Sequence, residues 1–282
     1  MAAPRVSIVV PAYNNGEFIE ATMRSILAQT YRDFELVVAD HSSTDDTWDK
    51  LQPFAADERV RLLTTPAGGG APANWKRVTA EARGELLKLV CGDDLITPDC
   101  LAEEVAAIDS APGVVLVSCQ RDLIDARGNH VTRARGLGGL SGRVDGRTAA
   151  RRAVMAGTNI FGEPGCVLMR RAALEAVGGW ADTEPYVIDQ QTFCNVLMTG
   201  DFHAVPRSLA SFRMSAAQWS VNLAREQADQ VVAFHERLAA ANPGLLSRRE
   251  LTRGNTLARG MAYVRRFAYV WLGRKMHADP QG

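Results

Sequence analysis

The 282-residue chain lacks several things that would have decided its class at once. Its five cysteines, at positions 91, 100, 119, 166 and 194, are scattered and odd in number, with no CxxC pair. That argues against a zinc site or a disulfide framework and for a reducing compartment. No excess of either charge exists: Lys plus Arg and Asp plus Glu both total 32, so the formal net charge is zero. A general nucleic-acid binder usually carries a basic excess, so that class is disfavoured. No run of about 18 apolar residues is available to span a membrane. Met1 to Arg5 leads straight into a strand without the apolar stretch of a signal peptide, so a cytoplasmic location is expected. No GxGxxG follows the first strand and no GxxxxGK[ST] occurs anywhere, which disfavours a dinucleotide Rossmann site and a P-loop.

What is present is apolar sequence in short blocks, 46% of the chain, enough for a large core. Val6–Val10 reads as a buried strand stopped by Pro11, and Glu17–Ala28 as a helix with Phe18, Ile19, Met23, Ile26 and Leu27 on one face. Strands are expected at 34–39, 59–63 and 86–90, with a glycine-rich loop at 64–72 and a helix at 74–82. Strand–helix alternation on this spacing predicts a parallel sheet with right-handed crossovers. Ligands of such sheets bind beyond the carboxyl ends of the strands. At one such end Leu86–Val90, whose single charge is Lys88, gives way to Cys91-Gly92-Asp93-Asp94. Two adjacent carboxylates there call for positive charge, most simply a divalent cation with a phosphate ligand. A surface turn or a helix N-terminus is the alternative, since Asp favours both.

Further on, the helix expected at 98–108 precedes a strand at 114–118 and a Gly- and Arg-rich hairpin or loop at 121–143, whose arginines either meet phosphate or are solvated. A short helix at 148–155, a turn and strand at 162–171, and a helix at 172–177 follow. Beyond 221 the chain reads as helical, at 225–241 and again at 257–275. The last stretch mixes Arg259, Arg265, Arg266, Arg274 and Lys275 with Met, Tyr, Val, Phe, Trp and Leu. Such a helix either lies on an anionic membrane surface or packs on the domain or a dimer partner.

Several segments taken in order resemble a known family. Val6-Ser7-Ile8-Val9-Val10-Pro11-Ala12-Tyr13-Asn14, Ser25 to Leu36, Asp40 to Thr47, Ala73-Asn74, Ala82 to Glu85 and Cys91 to Asp94 resemble the ordered motifs of family 2 glycosyltransferases, over roughly residues 5–220. The resemblance implies an α/β GT-A fold, Rossmann-like, with a mostly parallel central sheet. Residues 1–220 would form the glycosyltransferase domain, with a nucleotide-binding half at 5–117 and an acceptor-side half at 118–220. Residues 221–282 would be a helical extension.

It implies an inverting enzyme that moves a sugar from a UDP-, dTDP- or GDP-sugar to a hydroxyl of a glycan, lipid-linked or small-molecule acceptor. Pro11, Ala12 and Tyr13 would line the base pocket. Asp40 would accept from a base N–H, with helix capping as its alternative. Asn74 would support the donor or cap a helix. Asp93 would face ribose or phosphate, and Asp94 would hold Mg2+ or Mn2+. Arg213 would serve the phosphates or a structural ion pair. Asp189 would be the general base or a helix cap, with Glu163 a weaker candidate and Glu163 and Trp180 on the acceptor side. Cys91, Ile188 and Ser215 depart from the family pattern and motivate a rival, a domain that binds nucleotide or glycan without turnover.

Overall fold

The computed structural model describes residues 3–214 and 227–277, with side chains up to residue 262 in the last helix. Ser215 and its segment, and the aromatic side chains beyond 262, lie outside the described residues. Four strands form the first half: β1 (Val6–Ala12), β2 (Phe34–Asp40), β3 (Val60–Thr64) and β4 (Leu86–Leu89). They run parallel in the order β3-β2-β1-β4, as the alternation predicts. Helices α1 (Ile19–Leu27), α2 (Thr47–Leu51) and α3 (Gly70–Ala80) make the crossovers. Val9, Val10, Leu36 and Val37 are fully buried, as strands covered on both faces must be.

Several boundaries differ from expectation, the strand from Val114 running on to Ile124 and the last helix starting at Arg248 among them, and two have a local cause. Pro11 does not end β1, which pairs with β2 as far as Ala12–Asp40. Val9 accepts from the β4 side and Ala12 from the β2 side, so Pro11 turns its missing N–H toward β4, whose pairing has already ended at Leu89. The second difference is α3, which starts at Gly70 rather than Asn74. Gly68, Gly69 and Gly70 all have positive φ and turn the chain early, and Pro72 sits in the first helical turn, where no intrahelical N–H bond is lost.

Beyond β4 the sheet is mixed. After β5 (Leu95–Ile96) and α4 (Cys100–Asp109) comes β6 (Val114–Ile124), which forms an antiparallel hairpin with β7 (His130–Arg135). Then follow β8 (Gly142–Val144), α5 (Gly146–Ala156), β9 (Val167–Arg170), α6 (Arg171–Ala176), α7 (Ile188–Val196) and β10 (Asp201–Arg213). Strand β9 is antiparallel to both β4 and β6 and joins the two halves into one sheet. Strand β10 runs parallel to β6, with register shifts that include Pro206. It was not foreseen, because its polar and apolar residues do not alternate cleanly and a proline interrupts them.

Lys88 of β4 is fully buried and donates to both oxygens of Glu104 on α4, at 2.9 and 2.8 Å. All five cysteines are free thiols. The extension forms α8 (Gln227–Ala241) and α9 (Arg248–His277). Helix α9 packs on α5, with Gly157 against Leu257 and Ala258 and Gly254 against Val154. Among the described residues no helix is long and apolar enough to cross a membrane.

Candidate active site

The carboxyl ends of β1 and β2 are tied together from beneath by Asn74. Its amide donates to Ala12 O (3.2 Å) and Ala39 O (3.1 Å), and its Oδ1 accepts from Thr65 Oγ1 (2.7 Å). Asn74 is therefore a buried anchor inside α3, and the N-cap reading is excluded. Asp40 ends β2 and accepts from the Ser43 backbone N–H (3.1 Å) and from the Ser43 hydroxyl, so it shapes its own loop and does not cap α2. Asp45 caps that turn instead, accepting from Thr47 N (3.0 Å). Pro11 and Ala12 lie below this loop, while Tyr13 is 57% exposed with its ring tilted on His41, centroids 5.9 Å apart. His41 binds Gly68 O (2.8 Å) and so couples the β2 loop to the glycine-rich loop. Sequence reasoning missed His41. Its place beside Asp40 in a polar loop was the available signal.

The β4–β5 turn carries the acid pair. A Cβ on Gly92 would lie 2.5 Å from Asn15 Oδ1, so a side chain there would push Asn15 off the Tyr13 N–H it accepts from. Asp94 is 2% exposed and accepts from Arg213 N (3.0 Å), while Asp93 is half-buried. Burial, followed by the charge of Asp93, pushes the Asp94 carboxyl well above the usual carboxylate range. A divalent cation would reverse that penalty. Two carboxylates fit a hard ion that retains waters and phosphate oxygens, and the nearby Cys91 thiol, raised by burial, stays protonated and is a poor ligand. Arg213 is 5% exposed. Its guanidinium donates to the carbonyls of Asp93 (3.0 Å), Asp125 (3.2 Å) and Ala126 (3.1 Å) and lies over the Phe18 ring. These bonds fasten the tip of the β6–β7 hairpin to the acid turn, which is a positioning task for the guanidinium.

Asp189 is the second residue of α7, whose N-cap is Val187, so the capping reading fails for it too. Its Oδ2 accepts from Asn159 Nδ2 (2.9 Å) and its Oδ1 from Gln190 N (2.6 Å). The Asn159 amide is held in that orientation, because it also donates to Gly162 O (2.8 Å) and accepts from Phe161 N (3.0 Å). Beside them Glu163 accepts from Arg121 Nη2 (3.2 Å) and forms an ion pair with the same guanidinium. Burial pushes the Asp189 carboxyl up to about 7, with the Glu163 charge adding to the rise and Arg121 and Asn159 opposing it. The half-buried Cys91 thiol is raised by burial and then by Asp94, Asp93, Asp189 and Glu163. All four carboxyls therefore lie within electrostatic reach of one sulfur. Trp180 is 3% exposed, donates to Thr79 Oγ1 (2.8 Å) and packs edge-on against Trp75 and Phe193, so it wedges between α3 and α7.

The Glu163–Arg121 pair gives a testable sign. Glu163→Gln removes a like charge near Asp189 and leaves the Arg121 charge uncompensated, and both changes favour the Asp189 anion. Any acid limb in activity set by Asp189 should move down by roughly one pH unit. An unmoved limb, or one moved upward, in a pH–rate profile would refute the coupling.

Comparison with known proteins follows the same lines. The family model described as Glycosyl transferase family 2 matches residues 7–178. A relative from Escherichia coli, the UDP-Glc:alpha-D-GlcNAc-diphosphoundecaprenol beta-1,3-glucosyltransferase WfgD, is 37% identical over 90 residues, 32% of this chain and 35% of its own length. The chain spans 21%, 69% and 42% of the length of three other curated relatives. Among solved structures, S. aureus TarS 1–349 in complex with UDP-GlcNAc superimposes with a TM-score of 0.69 at 18% identity, covering 87% of this chain and 69% of that one. The mannosyltransferase PcManGT from Pyrobaculum calidifontis, in complex with GDP-Man and Mn2+, gives 0.65 at 22% identity, covering 96% and 72%. With its GT-A architecture and a family match over more than half its length, the chain belongs to glycosyl transferase family 2.

Proposed function

We propose that the enzyme transfers one sugar, with inversion, from a nucleoside diphosphate sugar to a hydroxyl of a lipid-linked saccharide. The observation that supports this reading is the acid-pair turn, Asp93-Asp94 after β4, together with a separate carboxyl, Asp189, held by Asn159, whose charges all raise the Cys91 thiol. In the reaction the acceptor oxygen forms a bond to the anomeric carbon while the bond from that carbon to the diphosphate oxygen breaks. Asp189 takes the hydroxyl proton on the face opposite the leaving group. Asn159 fixes the direction of that carboxyl. Asp40 accepts from the base, Tyr13 covers it, and Asn74 keeps the two strand ends in register. Mg2+ or Mn2+ held by Asp94, with Asp93 beside it, would supply charge neutralisation at the departing diphosphate. UDP-GlcNAc in TarS, GDP-Man in PcManGT and the diphosphoundecaprenol acceptor in the name of WfgD support these substrate classes.

The test is a melting series with UDP, dTDP and GDP, each with and without Mn2+. The cognate nucleotide with Mn2+ at about 100 times its dissociation constant should stabilise the fold by about 2.7 kcal/mol. Asp94→Asn should remove the Mn2+-dependent part of the shift and leave a smaller nucleotide-only part. No shift with any of the three would overturn the donor reading.

A further inference from the structure

We infer that the joined outer faces of α5 and α9 dock on an anionic lipid bilayer. The inference extends the transfer reading by saying where the acceptor is met, and its test does not depend on turnover. The two helices carry eleven Arg or Lys residues against one acid, Glu250, in a chain whose formal net charge is zero. Glu250 is already paired with Arg151 across the helix contact. Arg147, Arg151 and Arg152 on α5 and Arg248, Arg249, Arg253 and Arg259 on α9 are all exposed. The nearest acids are committed as well: Asp145 caps α5 through Thr148 N (2.8 Å), and Asp201 pairs with Arg143.

The face is not purely polar. A groove of about 380 Å³ runs along α5 with Leu140 and Met155 in its lining and Arg151 and Arg152 beside them. Leu257, 40% exposed, lies where α9 crosses Gly157. Cationic and aliphatic groups together suit the head-group layer of a bilayer, where phosphate meets the arginines and acyl chain meets the groove. A nucleic acid duplex matches the charge but has no counterpart for Leu140, Met155 and Leu257. A second copy in the same orientation would set two cationic faces against each other. The placement also suits a membrane-borne acceptor. Helix α5 ends at Gly157, two residues before Asn159, which holds Asp189.

The experiment is co-sedimentation of the full chain with vesicles of phosphatidylcholine alone and of phosphatidylcholine mixed with phosphatidylglycerol. Binding should require phosphatidylglycerol and fall as salt rises. The exposed triple substitution Arg147→Gln, Arg249→Gln, Arg253→Gln should weaken partitioning on the order of 100-fold, with the melting temperature and turnover of a soluble acceptor unchanged. Asp189→Asn should bind vesicles like the wild type, so loss of transfer and loss of docking are distinguished. Equal binding to both vesicle types, wild-type binding by the triple variant, no binding at all, or preference for duplex DNA over vesicles at equal salt would each overturn the inference.

Discussion

Asp189→Asn should lower turnover by about 100- to 10,000-fold while leaving nucleotide binding nearly intact. The size follows from what the substitution removes. The amide has nearly the shape of the carboxyl but cannot take a proton from an acceptor hydroxyl. In the proposed reading the nucleotide lies at the β1 and β2 loops, which Asn74 and not Asp189 braces, so nucleotide-induced melting shifts should persist. The pH dependence supplies a second readout. With the Asp189 carboxyl raised to about 7, the protonated and inactive form dominates below that pH. The logarithm of kcat/KM should therefore rise with unit slope up to about pH 7 and flatten above it, and the residual activity of the variant should lack this limb. Full turnover in the variant, or the same limb in its profile, would remove Asp189 from the role of base.

The largest expected effect on stability is at Lys88. Lys88→Ala leaves Glu104 fully buried without its counter-charge, and Glu104 also lies with Cys100 and Cys119, all ligand atoms within 4.8 Å of one another. Stranding a buried charge in this way costs about 3–5 kcal/mol, which lowers the melting temperature on the order of 10 °C in a chain of this size. The pair holds Lys88 protonated: Glu104 at 2.8 and 2.9 Å outweighs the burial that would otherwise favour the neutral amine. Salt should hardly change the loss, because neither side chain reaches solvent. The double substitution Lys88→Met, Glu104→Leu should recover most of the stability, since it removes both charges and fills the space. Calorimetry of the three variants decides it. A Lys88→Ala protein within about 1 kcal/mol of wild type would show that the pair is not needed.

The four strands of the first half were readable because each is a contiguous apolar block bounded by polar loops, and burial on both faces demands that composition. The acid turn was readable for a related reason: two carboxylates directly after such a block are conspicuous. Asp189 stood out only through the family resemblance, because an Asp near a helix start has an ordinary local explanation. Its partner Asn159 gave no signal at all. The two are 30 positions apart, and only the return of α7 beside the loop after α5 brings them together. Asn74 and Arg213 show the opposite limit. Asn74 had a local role as a cap and Arg213 one as a phosphate ligand; what neither pattern carries is that each also bonds backbone carbonyls from other loops. Strand β10 escaped because its register is irregular, so neither a period of two nor an apolar run marks it.

The position of β9 between β4 and β6 has a consequence for synthesis on the ribosome. Leu87 must wait for Met169, its cross-strand neighbour, to be made. At roughly 5–20 residues per second that delay is several seconds, during which one side of β4 has no pairing partner. An open apolar strand in a nascent chain invites pairing with other chains, and a charge planted in its middle discourages that. Lys88 is such a charge. Until α4 docks and Glu104 takes up the ammonium, that charge would protect the half-made sheet from aggregation.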